Sequence, residues 1–404
     1  MIKKVSNLLM VLSLPVQTVF CLLVFLAFEK PVKEIVNMKG GIKKFIGSGG
    51  KNYKKNKGGR EDMTSGKVLF KRILVVLFVF AFCFSVIGTA HAKKPISFKF
   101  GFVSSPKMQG GIYGQLIEKY VNEACEGKVK AKFFPSALLG TDPEMMDKTR
   151  LGLIQGLIAP LNVYGNAVPY VDVLMLPFVS NSWEKVNNFI ESPVAEEFLK
   201  GVEKYGYKGL GYSGYGLSGL ECNTKATTLA ELQKLKFRVP ESPVLRRTFE
   251  ALKITPMVIQ FPDLYESLKQ GVVDGCDLPA DVAVFVKFTE VIRYFIQTNH
   301  NFGWYMFAVN KKWYDNLPGD VKGPFTEAVK RASRESIKRS YEAEKAALKV
   351  FSEKGIKITK VPDRELKKMV ELTKPVFDWR LQSYNDQERK LAIKVLKQMG
   401  YEYN

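Results

Sequence analysis

The chain has 404 residues, with 61 Lys and Arg against 40 Asp and Glu (a formal charge of +21) and 46% hydrophobic residues. Two or three domains fit that length. Five cysteines without a C-x-x-C pair argue against a disulfide scaffold or a zinc site, and two histidines leave little room for His-rich metal centres or a Ser-His-Asp site.

The first 92 residues stand apart. From Met63 the sequence runs MTSGKVLFKRILVVLFVFAFCFSVIGTAHAKK. Its basic start at Lys67, Lys71 and Arg72, apolar core over 73–87 and small-residue end Ala90-His91-Ala92 are the three parts of a secretory signal peptide. Cleavage is expected after Ala92, with export to the periplasm. Ahead of it, 8–28 is apolar and about the length of a membrane span, and 40–60 is a Lys/Gly/Asn tract. Residues 1–62 admit two readings, a mis-called start with translation from Met63 or a membrane anchor; the first is the simpler. Residues 1–92 hold 15 Lys and Arg and four Asp and Glu, so 93–404 keeps a net charge of +10. Those charges are interspersed with acids on helical stretches, a solvated pattern that does not point to nucleic acid. The cysteines past the leader, Cys125, Cys222 and Cys276, read as three buried thiols more readily than as one disulfide and a free thiol.

Beyond residue 95 short apolar runs alternate with amphipathic stretches. Strands are expected over 96–103 and 129–134, with a helix between them on Ile112, Leu116, Ile117, Tyr120, Val121 and Ala124. Thr141 and Asp142 are placed to cap a helix over 142–151. Helices around 182–190 and 194–205 lead to a strand at 207–212. A second cycle opens at the capping box Thr228-Leu-Ala-Glu231. It continues with strands at 236–239 and 255–260, helices at 243–252 and 264–270, and a turn at 271–275. Strand character returns at 307–310, and a long helix over 321–353 ends at Gly355. The rhythm predicts an α/β fold whose two domains interleave, with the long helix spanning both.

Within GLGYSGYGLSG at 209–219, the segment GYGLSG satisfies G-x-G-x-x-G. A dinucleotide fingerprint needs a helix after the glycines and an acid about twenty residues on. The following LECNTKAT is polar and irregular, and Arg238 occupies the acid's place. The glycines therefore read as strand residues that permit a bend or close backbone approach, and no cofactor is expected.

Lys236-Phe-Arg-Val-Pro240 sets one Arg in an apolar strand. A guanidinium there pairs with a carboxylate of the protein, or faces a cleft and grips a ligand carboxylate through two parallel hydrogen bonds. KFRVPESP at 236–243, QFPDLYESLKQGVVDG at 260–275, TNH at 298–300 and VNKKWYDNLP at 309–318 follow in order. SFKFG at 97–101, FFPSALLG at 133–140 and VLMLPF at 173–178 precede them. Over about 96–380 the chain resembles the substrate-binding subunit of tripartite ATP-independent periplasmic (TRAP) transporters, of the DctP type.

The resemblance implies a two-domain periplasmic binding protein fold of the Venus-flytrap kind, with mixed sheets, helices on both faces and a long interdomain helix. The domains would comprise 93–216 with 304–343, and 217–303 with 344–404, closing on a small organic acid by hinge motion. It places the carboxylate anchor on Arg238 and a cleft-lining ring on Phe261, with Glu241 and Ser242 beside the anchor and the loop 160–162, ending at Asn162, opposite. Two positions depart from the family pattern. Leu278 in DGCDLP stands where many members have Asn, and Ser218 (or Gly219) stands where many have a second Arg. The loss of an amide and a charge predicts a monocarboxylate with a less polar body. The implied partners are the integral-membrane subunits of a TRAP transporter, with the binding protein itself a monomer and no metal involved. A sensor module with the same binding physics is the alternative; an exported hydrolase or isomerase is disfavoured, because one histidine past the leader accompanies no nucleophile-and-base motif.

Overall fold

The computed structural model describes residues 94–403; the expected membrane segment and signal peptide lie outside the described residues. Ten strands organise them: β1 Ile96–Gly101, β2 Val129–Phe134, β3 Gly156–Pro160, β4 Tyr207–Cys222, β5 Lys236–Val239, β6 Thr255–Val258, β7 Gly275–Pro279, β8 Tyr294–Gln297, β9 Phe302–Asn310 and β10 Lys357–Lys360. They run in the order β2-β1-β3-β9-β4-β7-β5-β6, with β8 joined to β4 and β10. The first half is β2, β1 and β3 in parallel, with β9 antiparallel to β3. The second half has β5 parallel to both β6 and β7, and β4 antiparallel to β7 and β8.

β4 belongs to both halves. Tyr207 to Leu217 pair with β9, and Ser218 to Cys222 pair with β7. The glycine-rich segment thus lies inside one 16-residue strand that crosses the molecule, longer than the run expected at 207–212 and in keeping with the reading of its glycines as strand residues. The polar LECNTKAT begins as its continuation, because Leu220 and Cys222 are buried among Phe237, Phe249 and Ile296. The apolar stretch ahead of Phe178 forms a 3-10 turn, Pro169–Met175.

Local signals fix several helix ends. Thr141 accepts from the Glu144 amide while Glu144 accepts from the Thr141 amide, opening the helix Asp142–Leu151. Thr228 and Glu231 do the same for Leu229–Leu232. The 35-residue helix Gly319–Glu353 packs on the helix Gln109–Ala124 and on β4, and the chain turns away at Gly355, φ +74°. Helices cover the sheet on both faces in a two-domain α/β arrangement. The last helix, Asp386–Gln398, contributes Ala392, Val395 and Leu396 to a core shared with Tyr170, Phe198 and Tyr212. It packs with the first half of the sheet, whereas the sequence grouped 344–404 with the second. Cys125, Cys222 and Cys276 are buried free thiols. Among the described residues no helix is long and apolar enough to cross a membrane.

Candidate functional site

The site is built where β4 passes from one half of the sheet to the other. Pairing with β9 slips between Gly214 and Leu217, leaving Tyr215 and Gly216 as a bulge. Gly216 adopts φ +105°, and a Cβ there would lie 2.9 Å from a Glu344 carboxylate oxygen. The bulge lays the Tyr215 ring over Gly303, where any Cβ would meet the ring at 2.3 Å. It also stacks Tyr215 at a tilt on Tyr305 of β9, with centroids 4.6 Å apart.

Arg238 approaches from β5. The sheet register sets Glu221, Cys276, Arg238 and Met257 side by side across four strands. Arg238 is 4% exposed. Its Nε–H donates to the Ile259 carbonyl at 2.9 Å, and its guanidinium carbon lies 6.0 Å from the Phe261 ring centre. Among the described residues no carboxylate pairs with it within 4.0 Å. Burial pulls its pKa downward, and the groups that oppose this are Cys276, Asp277 and Tyr215. A buried cation without a counter-charge is costly, and among the described residues the terminal N–H groups of Arg238 have no hydrogen-bond partner.

The other expected residues divide. Phe261 is half-buried and stands against Arg238. Leu278 and Ser218 are buried on the adjoining strands; Leu278 is opposite Gly219, and Ser218 is opposite Pro279 and donates its N–H to the Asn301 carbonyl at 2.9 Å. The Ser242 hydroxyl accepts from the Leu245 amide, capping the helix Pro243–Ala251. Glu241 is exposed on the turn after β5, and Asn162 is half-buried in the first turn of the helix Leu161–Ala167; no hydrogen bond joins either to Arg238 among the described residues.

Four further groups complete the constellation. The charges acting on the Tyr215 hydroxyl are Asp277, Arg238, Asp281 and Asp142, and Tyr305 feels Asp142 and Asp281. Asp142 had read as part of a helix cap, but Thr141 and Glu144 perform the capping, leaving its carboxyl unengaged. Asp281 lies in the first turn of the helix Ala280–Phe285, two residues past β7. Burial pushes each carboxyl up to about 7, with Glu344 adding to the effect on Asp281. The Oδ1 atoms of both are buried without a hydrogen-bond partner. The neighbourhood of Tyr215 thus includes carboxyl groups and a second phenol beside Arg238. A signal was present at 281, an acid just past the DGCDLP segment.

His300 is enclosed by protein groups. Its Nδ1 is 2.6 Å from the Thr298 hydroxyl and its Nε2 3.4 Å from Asp277 Oδ1. Thr298, His300 and Asp277 are all within 4% of complete burial, with Phe178 and Phe249 edge-on to the imidazole. Among the described residues no cluster of His, Cys, Asp and Glu could hold a metal ion.

Comparison with known proteins bears on the fold and the family. A C4-dicarboxylate-binding periplasmic protein DctP of Rhodobacter capsulatus is 28% identical over 267 residues, covering 65% of this chain and 79% of that protein. A TRAP periplasmic solute-binding protein of Desulfovibrio salexigens, with bound orotic acid, superposes with a TM-score of 0.70 at 24% identity, covering 75% of this chain and 98% of that one. A counterpart from Chromohalobacter salexigens, with bound D-glucuronate, gives a TM-score of 0.69 at 22% identity, covering 74% and 99%. The sequence model of the bacterial extracellular solute-binding proteins, family 7 (DctP), matches residues 101–384, and the chain belongs to that family.

Proposed function

We propose that this binding protein captures a small organic acid by its carboxylate on Arg238 and delivers it to the membrane subunits of a TRAP-type transporter, without covalent chemistry. The observation that carries the reading is a buried guanidinium that has one protein acceptor and no carboxylate partner. A ligand carboxylate supplies the missing charge through a bidentate pair, and Phe261 flanks the guanidinium. The relatives compared above are named for C4-dicarboxylates or contain orotic acid or D-glucuronate, all of them acids. Closure of the two domains about the β4 and β9 crossings would exclude water and strengthen the ionic hydrogen bonds.

The proposed route is export through the signal peptide at 63–92 with cleavage after Ala92, followed by action as a periplasmic monomer. The proposed division follows the crossings, 93–216 with 304–343 and 217–303 with 344–385, and moves the helix Asp386–Gln398 to the first domain, where it packs. Isothermal titration against carboxylic acids tests the function: binding without turnover is expected. Mass spectrometry of the secreted protein tests the mature N-terminus; a chain beginning before residue 63 would refute the export route.

A further inference from the structure

The site's acids outnumber its cations. Arg238 is the one cation acting on the Tyr215 hydroxyl, against Asp142, Asp277 and Asp281. No Lys or Arg acts on Asp142 or Asp281, and Glu344 adds negative charge beside Asp281. Among the described residues the buried polar atoms without a hydrogen-bond partner include Glu221 Oε1, Asp277 Oδ1 and Asn301 Oδ1, and three belong to Asp142, Asp281 and Tyr164. Asp142 Oδ1 and Asp281 Oδ1 are buried acceptors without donors. The Tyr164 hydroxyl, on a fully buried residue and under the influence of Asp142, is likewise unpartnered. Asp281 has local relief from backbone N–H groups at Val282 and itself and from Gln109, yet its second oxygen stays empty. Buried polar atoms are nearly always satisfied in a finished structure, so these point to a group that arrives with the ligand.

We propose that the ligand is a zwitterion, with its carboxylate on Arg238 and a cationic nitrogen on Asp142 and Asp281. This rests on the Arg238 reading and adds the second pole. A plain monocarboxylate would bring another negative charge to acids that already lack a cation. An ammonium group brings one positive charge and three donors, matching two carboxylate oxygens and one phenol oxygen. Tyr215 stacks on Tyr305 at 4.6 Å, a Cβ at the adjoining Gly216 would lie 3.5 Å from Asp281 Oδ1, and the charges of Arg238, Asp142 and Asp281 all act on the Tyr215 hydroxyl. A hydroxylated acid offers donors without charge and would leave the excess of acids uncompensated.

The test titrates the whole secreted protein with β-alanine, γ-aminobutyrate and δ-aminovalerate, and with propionate, butyrate, valerate, succinate and gluconate. At least one amino acid is expected to bind more tightly than its deaminated partner. Asp281→Asn and Asp142→Asn should each weaken that binding by on the order of thirtyfold or more, as expected when one partner of a buried charge pair is removed. Thermal melts establish that the variants fold. Binding should also release protons at neutral pH, read as an enthalpy that depends on the buffer, because a nearby cation favours the ionised carboxyls. Arg238-dependent binding of gluconate, succinate or a simple monocarboxylate at least as tight as that of every amino acid overturns the zwitterion and spares the Arg238 anchor. Amino acid binding unaffected by both Asp variants does the same. Binding that survives Arg238→Ala, or no binding of any of these acids, overturns the anchor and the zwitterion with it.

Discussion

Replacing Arg238 by Ala separates binding from folding, because the side chain contributes so unequally to the two. Within the protein it makes one hydrogen bond, Nε–H to the Ile259 carbonyl at 2.9 Å, and one ring contact, 6.0 Å from the Phe261 centre. Against these stands the cost of a guanidinium that is 4% exposed and has no carboxylate partner. The two terms oppose each other, and the variant should fold with a stability within about 2 kcal/mol of the parent. Towards a carboxylate ligand the side chain offers two charge-assisted hydrogen bonds of about 1.5–3 kcal/mol each. Their loss should raise Kd by a factor of about 10² to 10⁴. Arg238→Lys keeps the charge and loses the planar fork, so it should recover only a minor part of the affinity. Titration calorimetry on the best-bound acid, paired with thermal denaturation of the ligand-free variants, measures both quantities. An unchanged Kd in folded Arg238→Ala would refute the anchor. A collapse of the melting temperature would show that the guanidinium holds the fold instead.

Gly216→Ala should destabilise the protein by about 1–3 kcal/mol, since φ +105° and the Glu344 oxygen 2.9 Å from the new Cβ both oppose it; it should also weaken ligand binding by displacing Tyr215, and denaturant titration with calorimetry checks the pair of effects. Asp142 and Asp281 bind protons up to about pH 7 in the fold but only to about 3.8 when unfolded. Between those values the folded state holds more protons, so ligand-free stability should fall as pH rises through the window and level off above it. Glu231, pulled down to about 2 by the Thr227 and Thr228 groups, acts in the opposite sense only below its ordinary 4.5. Melting curves from pH 5 to 8 test this, and Asp281→Asn should flatten the slope. Asp172 takes Arg380 bidentately at 2.8 and 2.7 Å and the Tyr384 hydroxyl at 2.6 Å, fastening the helix Asp363–Gln382 to the turn at 169–175. Asp172→Ala leaves that cation unpaired and should cost about 3–5 kcal/mol in urea unfolding, with ligand affinity unaltered.

What was legible in the sequence was mostly local. Thr141, Thr228 and Gly355 mark helix ends through bonds that close within four residues, and each stands where the sequence put it. Arg238 was legible because a lone guanidinium in an apolar strand needs a partner. β4 beyond Tyr212 was legible only through glycines that suit a strand: they carry no side chain to alternate, and the reason for them lies far away in the chain. Gly214 lies under the Phe302 ring and Gly219 under Phe295, with a substituted Cβ 2.3 Å from either ring. Asp142 was misread because its position suited a cap, and only the three-dimensional structure shows Thr141 and Glu144 already filling that role. Glu241 and Ser242 were placed beside Arg238 by the family resemblance, yet one side chain faces solvent and the other closes a helix end. Adjacency along a strand end says little about direction, since successive side chains point to opposite faces.

The arrangement depends on charges kept apart. Were Arg238 to reach Asp281, the two would neutralise each other and a ligand would have to break their bond to enter. The fold prevents this by fixing them on different supports. Arg238 stands on β5 between β6 and β7, with Nε tied to Ile259, while Asp281 sits in a helical turn beside Glu344 and Gly216. The Tyr215 ring, pinned over Gly303 by the bulge, occupies the space that both charges influence. Rigidity here has a direct energetic use, because groups held in place before binding lose no further freedom when the ligand meets them. Trimming the ring with Tyr215→Ala should remove that separation: Arg238 and Asp281 could then approach each other, and the affinity lost would exceed what the phenol contact alone supplies. Restoration of that excess by adding Asp281→Asn to Tyr215→Ala for a ligand bearing only a carboxylate would show that separation, and not ring contact, is what the tyrosine provides; identical affinity with and without the second change would refute it.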